Sequence, residues 1–348
     1  MSEHVKVPPK RPTLEDVARQ AGVSISTVDR VVSGRLPVRQ ATAAQVLAAA
    51  EELGFYATNL IRSRLKTELP VRKFGFVLQQ DYMPFYASLG ESLKAAAQAC
   101  TTAHVSTEID FAEDIEPHIV AERIERLGAV CDALAVVAAD HPAISQTIEA
   151  LAAQDVPVFA AVSDLSSERC AGYVGTDNFK LGRVAAWMVS KIAEKGEVAI
   201  FIGTHRFLCQ EMRVSGFQSF LNEMASRFTL LEPFLTCEDE KHAYEAASGV
   251  LRHHPGLAGL FVAGGGVRGV LKAIKEEGAG RRLCFLCDER NAETEAALRD
   301  DIVTAILEHP VDGIARALIS MMADATTAPR FGRDKTILPF QIVTPESL

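Results

Sequence analysis

From Phe74 to Ile306, short apolar runs are separated by longer amphipathic stretches, and this alternation limits the possible folds more than any other feature. Phe74-Gly75-Phe76-Val77-Leu78 has the composition of a buried strand, and a helix is expected from about Ala87 to Cys100. Strands are expected near Val105–Ile109, Ala133–Ala139, Val158–Val162 and Ala171–Val174, followed by a long helix over Lys180–Ala193. The cycle resumes at Val198–Ile202, Leu230–Leu235, Leu260–Ala263, Leu283–Cys287 and Ile302–Ile306. Such alternation builds parallel sheets with helices on both faces, because parallel neighbours need a crossover. Roughly ten strands in about 275 residues are generous for one sheet, so two lobes are expected. Ligands then bind between the lobes, beyond the carboxyl ends of the strands.

The first seventy residues carry a different, wholly helical pattern. Thr13 is a good N-cap with Asp16 three places on, and Leu14, Val17, Ala18 and Ala21 then share one face. Gly22 breaks the pattern as a tight turn would. Ser24 caps a second short helix with Val28, Val31 and Val32 inward and Ser33-Gly34 at its end. A third helix is expected from near Thr42 to Leu53, with Gly54 as its stop. Three short helices with a glycine turn make either a DNA-reading unit or a plain structural bundle; spacing alone leaves both open.

Charge favours the first reading. Up to Lys73 there are twelve Lys or Arg against seven Asp or Glu, in a chain whose formal net charge is −9. A basic head on an acidic body points to a polyanion at the head only. Seven scattered cysteines fit reduced thiols; Cys284 and Cys287 have CxxC spacing, but no second pair stands at zinc spacing and both fall in an apolar strand. No metal or other cofactor is expected. The polar, basic start carries no apolar signal region and no run reaches membrane-spanning length, so a cytoplasmic protein without a membrane partner is expected.

Residues 13–34, reading TLEDVARQAGVSISTVDRVVSG, closely resemble the DNA-binding head of LacI/GalR regulators. Val38, Thr42, Val46, Ala49-Ala50 and Leu53-Gly54-Phe55 fit that family's third helix. The resemblance implies that Ile25 and Ser26 face base edges in the major groove and that Arg30 reaches a guanine or a phosphate. Arginine suits guanine because its fork donates to O6 and N7 together. Thr13, Ser24 and Thr27 would donate to phosphates. The competing readings are Ile25 as core and Arg30 as a solvated charge. Asp29 departs from the serine of many relatives and would repel a phosphate.

The resemblance also implies a hinge over 59–72, folding into a short helix on operator DNA, with Leu65 wedged into a base step in the minor groove. Arg62 stands where relatives are usually small. An ordinary flexible linker is the alternative.

The body, 73–348, is similar to the LacI/GalR core, whose fold is that of type I periplasmic sugar-binding proteins. Tyr82-Met83-Pro84-Phe85-Tyr86, Tyr173-Val174-Gly175-Thr176-Asp177-Asn178, Arg213-Val214-Ser215-Gly216-Phe217 and Asp288 carry this similarity. It implies a cleft into which Arg213 donates to ligand oxygens, Asp288 and Asp164 accept from hydroxyls, Phe85 packs an apolar face, and Asp81 stands at the mouth. Arg213 also reads as a surface charge, Asp164 as a loop cap, and Asp177-Asn178 as a helix cap. Gly264-Gly265-Gly266 replaces the Asn-Asp of many relatives; it is either a backbone cradle for an anion or a tight turn.

The expected architecture is an all-α helix-turn-helix head over 1–58, joined by the hinge to a two-lobed α/β periplasmic-binding-protein-like core with parallel sheets. The expected function is a DNA-binding transcriptional repressor whose hold on operator DNA is set by a small effector, a sugar or polyol, in a homodimer. A solute-binding protein and a sugar-active α/β enzyme are the alternatives. The basic head opposes both, and no GxSxG elbow, P-loop or HExxH supports catalysis.

Overall fold

The protein is described from a computed structural model that covers residues 11–36, 38–67, 69–224, 227–277, 283–327 and 334–348. The chain divides into two compact units, one holding the residues up to Val71 and the other nearly all the rest.

The first unit is helical. Helix α1 (Leu14–Ala21) opens with a full capping box, in which Asp16 N donates to Thr13 and the Asp16 carboxylate accepts from the Thr13 amide. Gly22 closes it at φ +65°, a left-handed conformation that glycine adopts without strain. Helix α2 (Ile25–Ser33) is capped by Ser24, and α3 (Gln40–Leu53) runs two residues further toward its N-terminus than expected and ends at Gly54. Val17, Val28, Val46 and Ala50 meet in one buried core.

Helix α4 (Thr58–Thr67) covers only the first part of the segment 59–72 read as a hinge, and a strand already begins at Val71. The resemblance ties this helix to operator DNA, but contacts within the unit also hold it. Ile61 is fully buried with Phe55 and Ala57, Arg64 donates to the Val32 carbonyl at the end of α2, and Arg62 pairs with Glu51 at 2.5 Å. The Glu51 pair and a 3.2 Å bond to Asn59 give Arg62 a role where smaller residues were expected. Leu65 lies on α4, and its side chain falls outside the described residues.

The second unit holds two sheets. The first lobe contributes β1 (Val71–Gln79), α5 (Pro84–Gln98), β2 (His104–Ala112), α6 (Pro117–Gly128), β3 (Ala133–Val136), α7 (Pro142–Ala152), β4 (Val158–Ala161) and β5 (Gly172–Thr176). The chain then crosses to the second lobe through α8 (Asn178–Ile192), β6 (Gly196–Ile202), α9 (Leu208–Glu223), β7 (Phe228–Leu230), β8 (Phe234–Leu235), α10 (Glu240–His253), β9 (Leu257–Val262), α11 (Val267–Glu277), β10 (Cys284–Cys287), α12 (Ala292–Arg299) and β11 (Ala305–Glu308). It returns with α13 (Val311–Thr327) and β12 (Asp334–Leu338), and crosses again to β13 (Gln341–Val343). Strand orders are β12-β5-β4-β3-β1-β2 and β13-β11-β10-β9-β6-β7, with β8 also on β6.

The central pairings β1–β3, β3–β4 and β4–β5 are parallel, as are β6–β9, β9–β10 and β10–β11; β13 runs antiparallel to β11. Strand alternation divides each core between two sheet faces. Phe74, Phe76 and Leu78 face one side of β1 and Val77 the other; Phe285 and Cys287 face one side of β10 and Cys284 and Leu286 the other. Cys284 and Cys287 are thus buried free thiols whose burial pushes their pKa up, Cys284 to about 12.

Two strand expectations are corrected. The run 230–235 is broken by Glu232-Pro233, since proline has no N–H for a ladder, and forms two short strands. The strand expected at 302–306 begins only at Ala305, because the chain turns at Asp301 with φ +58°. The edge strands β12 and β13 have mostly exposed or half-exposed residues and left no apolar signal.

Candidate functional site

The carboxyl ends of the strands of both lobes face one pocket. The first lobe supplies Met83, Phe85 and Tyr86 from the start of α5, Val137 after β3, and Val162 and Ser163 after β4. The second supplies Phe207 and three residues of α9, then Glu238, Gly264, Gly265, Asp288, Glu289 and His309 from its strand ends. The lobes touch directly: Asp140 N donates to Arg206 O at 2.8 Å, Cys209 N donates to Ser163 Oγ at 3.3 Å, and Ala139 packs with Phe207 and Cys209.

Arg213 organises the polar side. It projects from α9 and is only 2% exposed, so it is not the surface charge of the alternative reading. Its position follows from a close helix crossing: a Cβ at Gly182 would stand 2.0 Å from Arg213 O, and one at Gly216 would stand 2.0 Å from Phe179 O. Only glycine lets the α8 and α9 backbones meet, which brings Asn178 to Arg213. Nε donates to Asn178 Oδ1 at 2.9 Å, Nη1 donates to Ala263 O at 2.8 Å and to Asp288, and Nη2 meets His309 Nε2 at 2.9 Å. Four of the five N–H donors are therefore engaged.

His309 must accept from Arg213 through Nε2, which leaves the proton on Nδ1, 3.4 Å from Thr176 Oγ1. Burial holds His309 below the ordinary imidazole pKa, consistent with a neutral ring. Thr176 and His309 lie on two of the segments that cross between the lobes, so the network around Arg213 reaches the crossovers themselves.

Glu238 forms a second cluster. One carboxylate oxygen accepts from Gln210 Nε2 at 2.7 Å and the other from Gly265 N at 3.0 Å; Gln210 Oε1 in turn accepts from Gly203 N. A Cβ at Gly203 would lie 1.7 Å from Glu238 Oε1, and one at Gly265 would lie 2.1 Å from Oε2. The glycine run therefore does form a backbone cradle, but the carboxylate at Gly265 N is the protein's own. Burial raises the Glu238 pKa, and it raises that of Glu289, which accepts from Asn291 Nδ2 at 2.9 Å, to about 7.

Backbone strain gathers here too. Val162 has φ +63°, costly for a β-branched residue, and is held by Val162 N to Val174 O and by the Tyr173 hydroxyl on its carbonyl. Cys237 and Glu238 both have φ +56°.

Of the expected ligand residues, Phe85, Arg213 and Asp288 line the pocket. Asp81 does not: it is exposed in the turn before α5, whose start at Pro84 carries Met83, Phe85 and Tyr86 inward. Asp164 is also outside the lining; it accepts from Leu165 N at 2.9 Å and pairs with Lys335 at 2.6 Å, as in the loop-cap reading. Asp177 caps α8. Gln210, Glu238, Glu289 and His309 were missed, although each of the last three closely follows an apolar strand run.

In the head, Ile25 is 48% exposed rather than core. Ser26 and Arg30 are also exposed, on the same helix. Ser24 Oγ lies 2.9 Å from Ser26 Oγ and 2.8 Å from Thr27 Oγ1, gathering three hydroxyls at the start of α2. Thr13 donates to Asp16 at 2.7 Å.

Comparison with known proteins covers both parts. Residues 74–329 match the model of the periplasmic binding protein domain, and residues 13–59 match that of the lacI family of bacterial regulatory proteins. The maltose regulon regulatory protein MalI of Escherichia coli (strain K12) is 28% identical over 281 residues, 77% of this chain and 78% of that protein. The HTH-type transcriptional regulator MalR of Streptomyces coelicolor is 30% identical over 209 residues, 59% of this chain and 57% of that one. A solute-binding protein of Burkholderia graminis in complex with D-arabinose superposes with TM-score 0.74 at 19% identity, covering 80% of this chain and 97% of the other. The glucose-galactose binding protein GanP of Geobacillus stearothermophilus gives 0.72 at 18% identity, covering 80% and 99%. At such identity these two structures speak for the fold of the core.

Proposed function

Because the chain belongs to the LacI family of bacterial regulatory proteins, a DNA-binding head joined to a periplasmic-binding-protein core, we propose that it is a cytoplasmic, homodimeric repressor whose core pocket senses a sugar or polyol. The reading assigns 1–58 to the head, 59–72 to the hinge and 73–348 to the sensor. Ile25, Ser26 and Arg30 read bases; Thr13, Ser24 and Thr27 hold phosphates; Leu65 enters the minor groove. Phe85, Arg213 and Asp288 hold the effector, joined by Glu238, Glu289 and His309.

The observation that carries the reading is the placement of the Arg213 network. Arg213 and Asp288 both line the pocket, while His309 and Thr176 lie on the lobe crossovers. An effector that binds Arg213 and Asp288 therefore bears directly on how the lobes close. Lobe closure in a dimer changes the spacing of the paired hinge segments, shifting DNA affinity by a coupling of about 1–3 kcal/mol. Operator DNA must then change effector affinity by the same factor. Relatives and structural neighbours, among them a maltose regulon regulator, a protein in complex with D-arabinose and a glucose-galactose binding protein, support a carbohydrate effector. Among the described residues no helix is long and apolar enough to cross a membrane.

The test is a thermal-shift screen of the full chain against sugars and polyols, followed by duplex binding with each hit. A hit that raises the melting temperature and alters duplex affinity is expected. Hits without any effect on DNA would reduce the core to a binding protein.

A further inference from the structure

The charge lining the pocket is unbalanced. Arg213 is committed to Asp288, and His309 accepts from that same guanidinium. Two further carboxylates remain in the lining, Glu238 and Glu289. Glu238 is 5% exposed, and both of its hydrogen bonds come from neutral donors, Gln210 Nε2 and Gly265 N. Arg268, a cation near Glu289, is shared with Glu240 and Glu293 at 3.5 Å each.

The Glu238 carboxylate is held there by design of the chain. The glycines at 203 and 265 clear the space a side chain would take from its two oxygens, and it follows Cys237 with both residues at φ +56°. A buried carboxylate without a cation costs several kcal/mol in desolvation. Hydroxyl groups of a neutral ligand would fill its lone pairs but leave its charge. An ammonium supplies three donors and the opposite charge. Phe85, Tyr86 and Phe207 add aromatic surface to the same lining, which suits a cation. An anionic ligand meets an Arg213 guanidinium already paired with Asp288 and repulsion from the Glu238 carboxylate.

We propose that the effector carries a protonated amine on a small hydroxylated scaffold, an amino sugar or amino polyol, with the ammonium held between Glu238 and the aromatic wall. This rests on the reading of the pocket as the effector site and narrows its ligand class.

The test is calorimetric titration of the full chain with matched sets: D-glucosamine, D-glucose and D-glucuronate, and the corresponding galactose and mannose sets. In at least one set the amine should bind at least about tenfold more tightly than its neutral counterpart, with the acid weakest. Glu238→Gln should abolish that preference while the circular dichroism melt stays cooperative; Glu238→Asp, which keeps the charge, should retain part of it. Neutral sugars binding as well as or better than their amines would overturn the amine assignment and leave the sensor reading standing. Binding of an acid in preference to its amine, or of no amine in any set, would overturn it as well. A preference unchanged in Glu238→Gln would remove Glu238 from the site.

Discussion

Removing Arg213 perturbs the core more than any surface change, and the structure sets the size of the effect. Arg213→Met deletes the partner of buried Asp288 and withdraws donors from Asn178, Ala263 and His309. Breaking a buried pair by removing one side costs about 3–5 kcal/mol, because the remaining charge is stranded away from water. A change of that size lowers the melting temperature by roughly 6–20 °C, at about 2–4 °C per kcal/mol for a domain of this class. Removing both charges in Arg213→Met/Asp288→Leu takes away the stranded carboxylate. The double variant should then be more stable than Arg213→Met alone by about 2–3 kcal/mol, despite the acceptors it leaves unpaired. Urea denaturation reads this directly, since Trp187 on α8 is the one tryptophan and reports on the second lobe. The two substitutions must couple strongly in a double-mutant cycle. Additivity within about 0.5 kcal/mol would show that the pair does not act as a unit and would refute the electrostatic reasoning.

Three further outcomes follow from other sites. Glu289 keeps its proton in the folded protein up to about pH 7, whereas the unfolded chain releases it near the ordinary glutamate value. Stability should therefore fall as pH rises between these values, by up to about 3 kcal/mol, and Glu289→Gln should flatten that fall in urea melts at pH 5 and pH 8. Arg30→Ala should weaken binding to the selected duplex and relax preference at one base pair by about 1–3 kcal/mol, read by fluorescence anisotropy; an unchanged preference contradicts its placement on the base edges. Ile61→Ala opens a cavity beneath α4 and should destabilise the head by about 2–5 kcal/mol, seen as faster amide exchange in α1–α3; unchanged exchange would mean that α4 adds nothing to that core.

Much of the fold was legible because it rests on local rules. Thr13 and Ser24 as caps, Gly22, Gly34 and Gly54 as stops, and the two-residue alternation of Phe74, Phe76 and Leu78 all act within a few residues of themselves. The ligand pocket was legible only in part. Arg213, Asp288 and Phe85 stand in recognisable short motifs. Glu238 and His309 do not, because what makes them functional is distant in sequence: Gly203 and Gly265 for the first, Thr176 and Arg213 for the second. Asp164 shows the opposite error. It follows a strand as a ligand residue should, but Lys335, 171 positions away, takes its carboxylate. The Gly264-Gly265-Gly266 turn was readable as a cradle for negative charge, and its occupant came from a segment that no local pattern connects to it.

The central claim, that residues 13–34 read DNA for a small-molecule sensor, is most directly tested by selecting duplexes from a random pool with the full chain and measuring binding of the winner against scrambled sequence as salt is raised. The account predicts enrichment of a palindromic site, lost in Arg30→Ala, whose affinity falls log-linearly with salt concentration. A pool that stays random after repeated selection, with and without the sugar panel present, would contradict it.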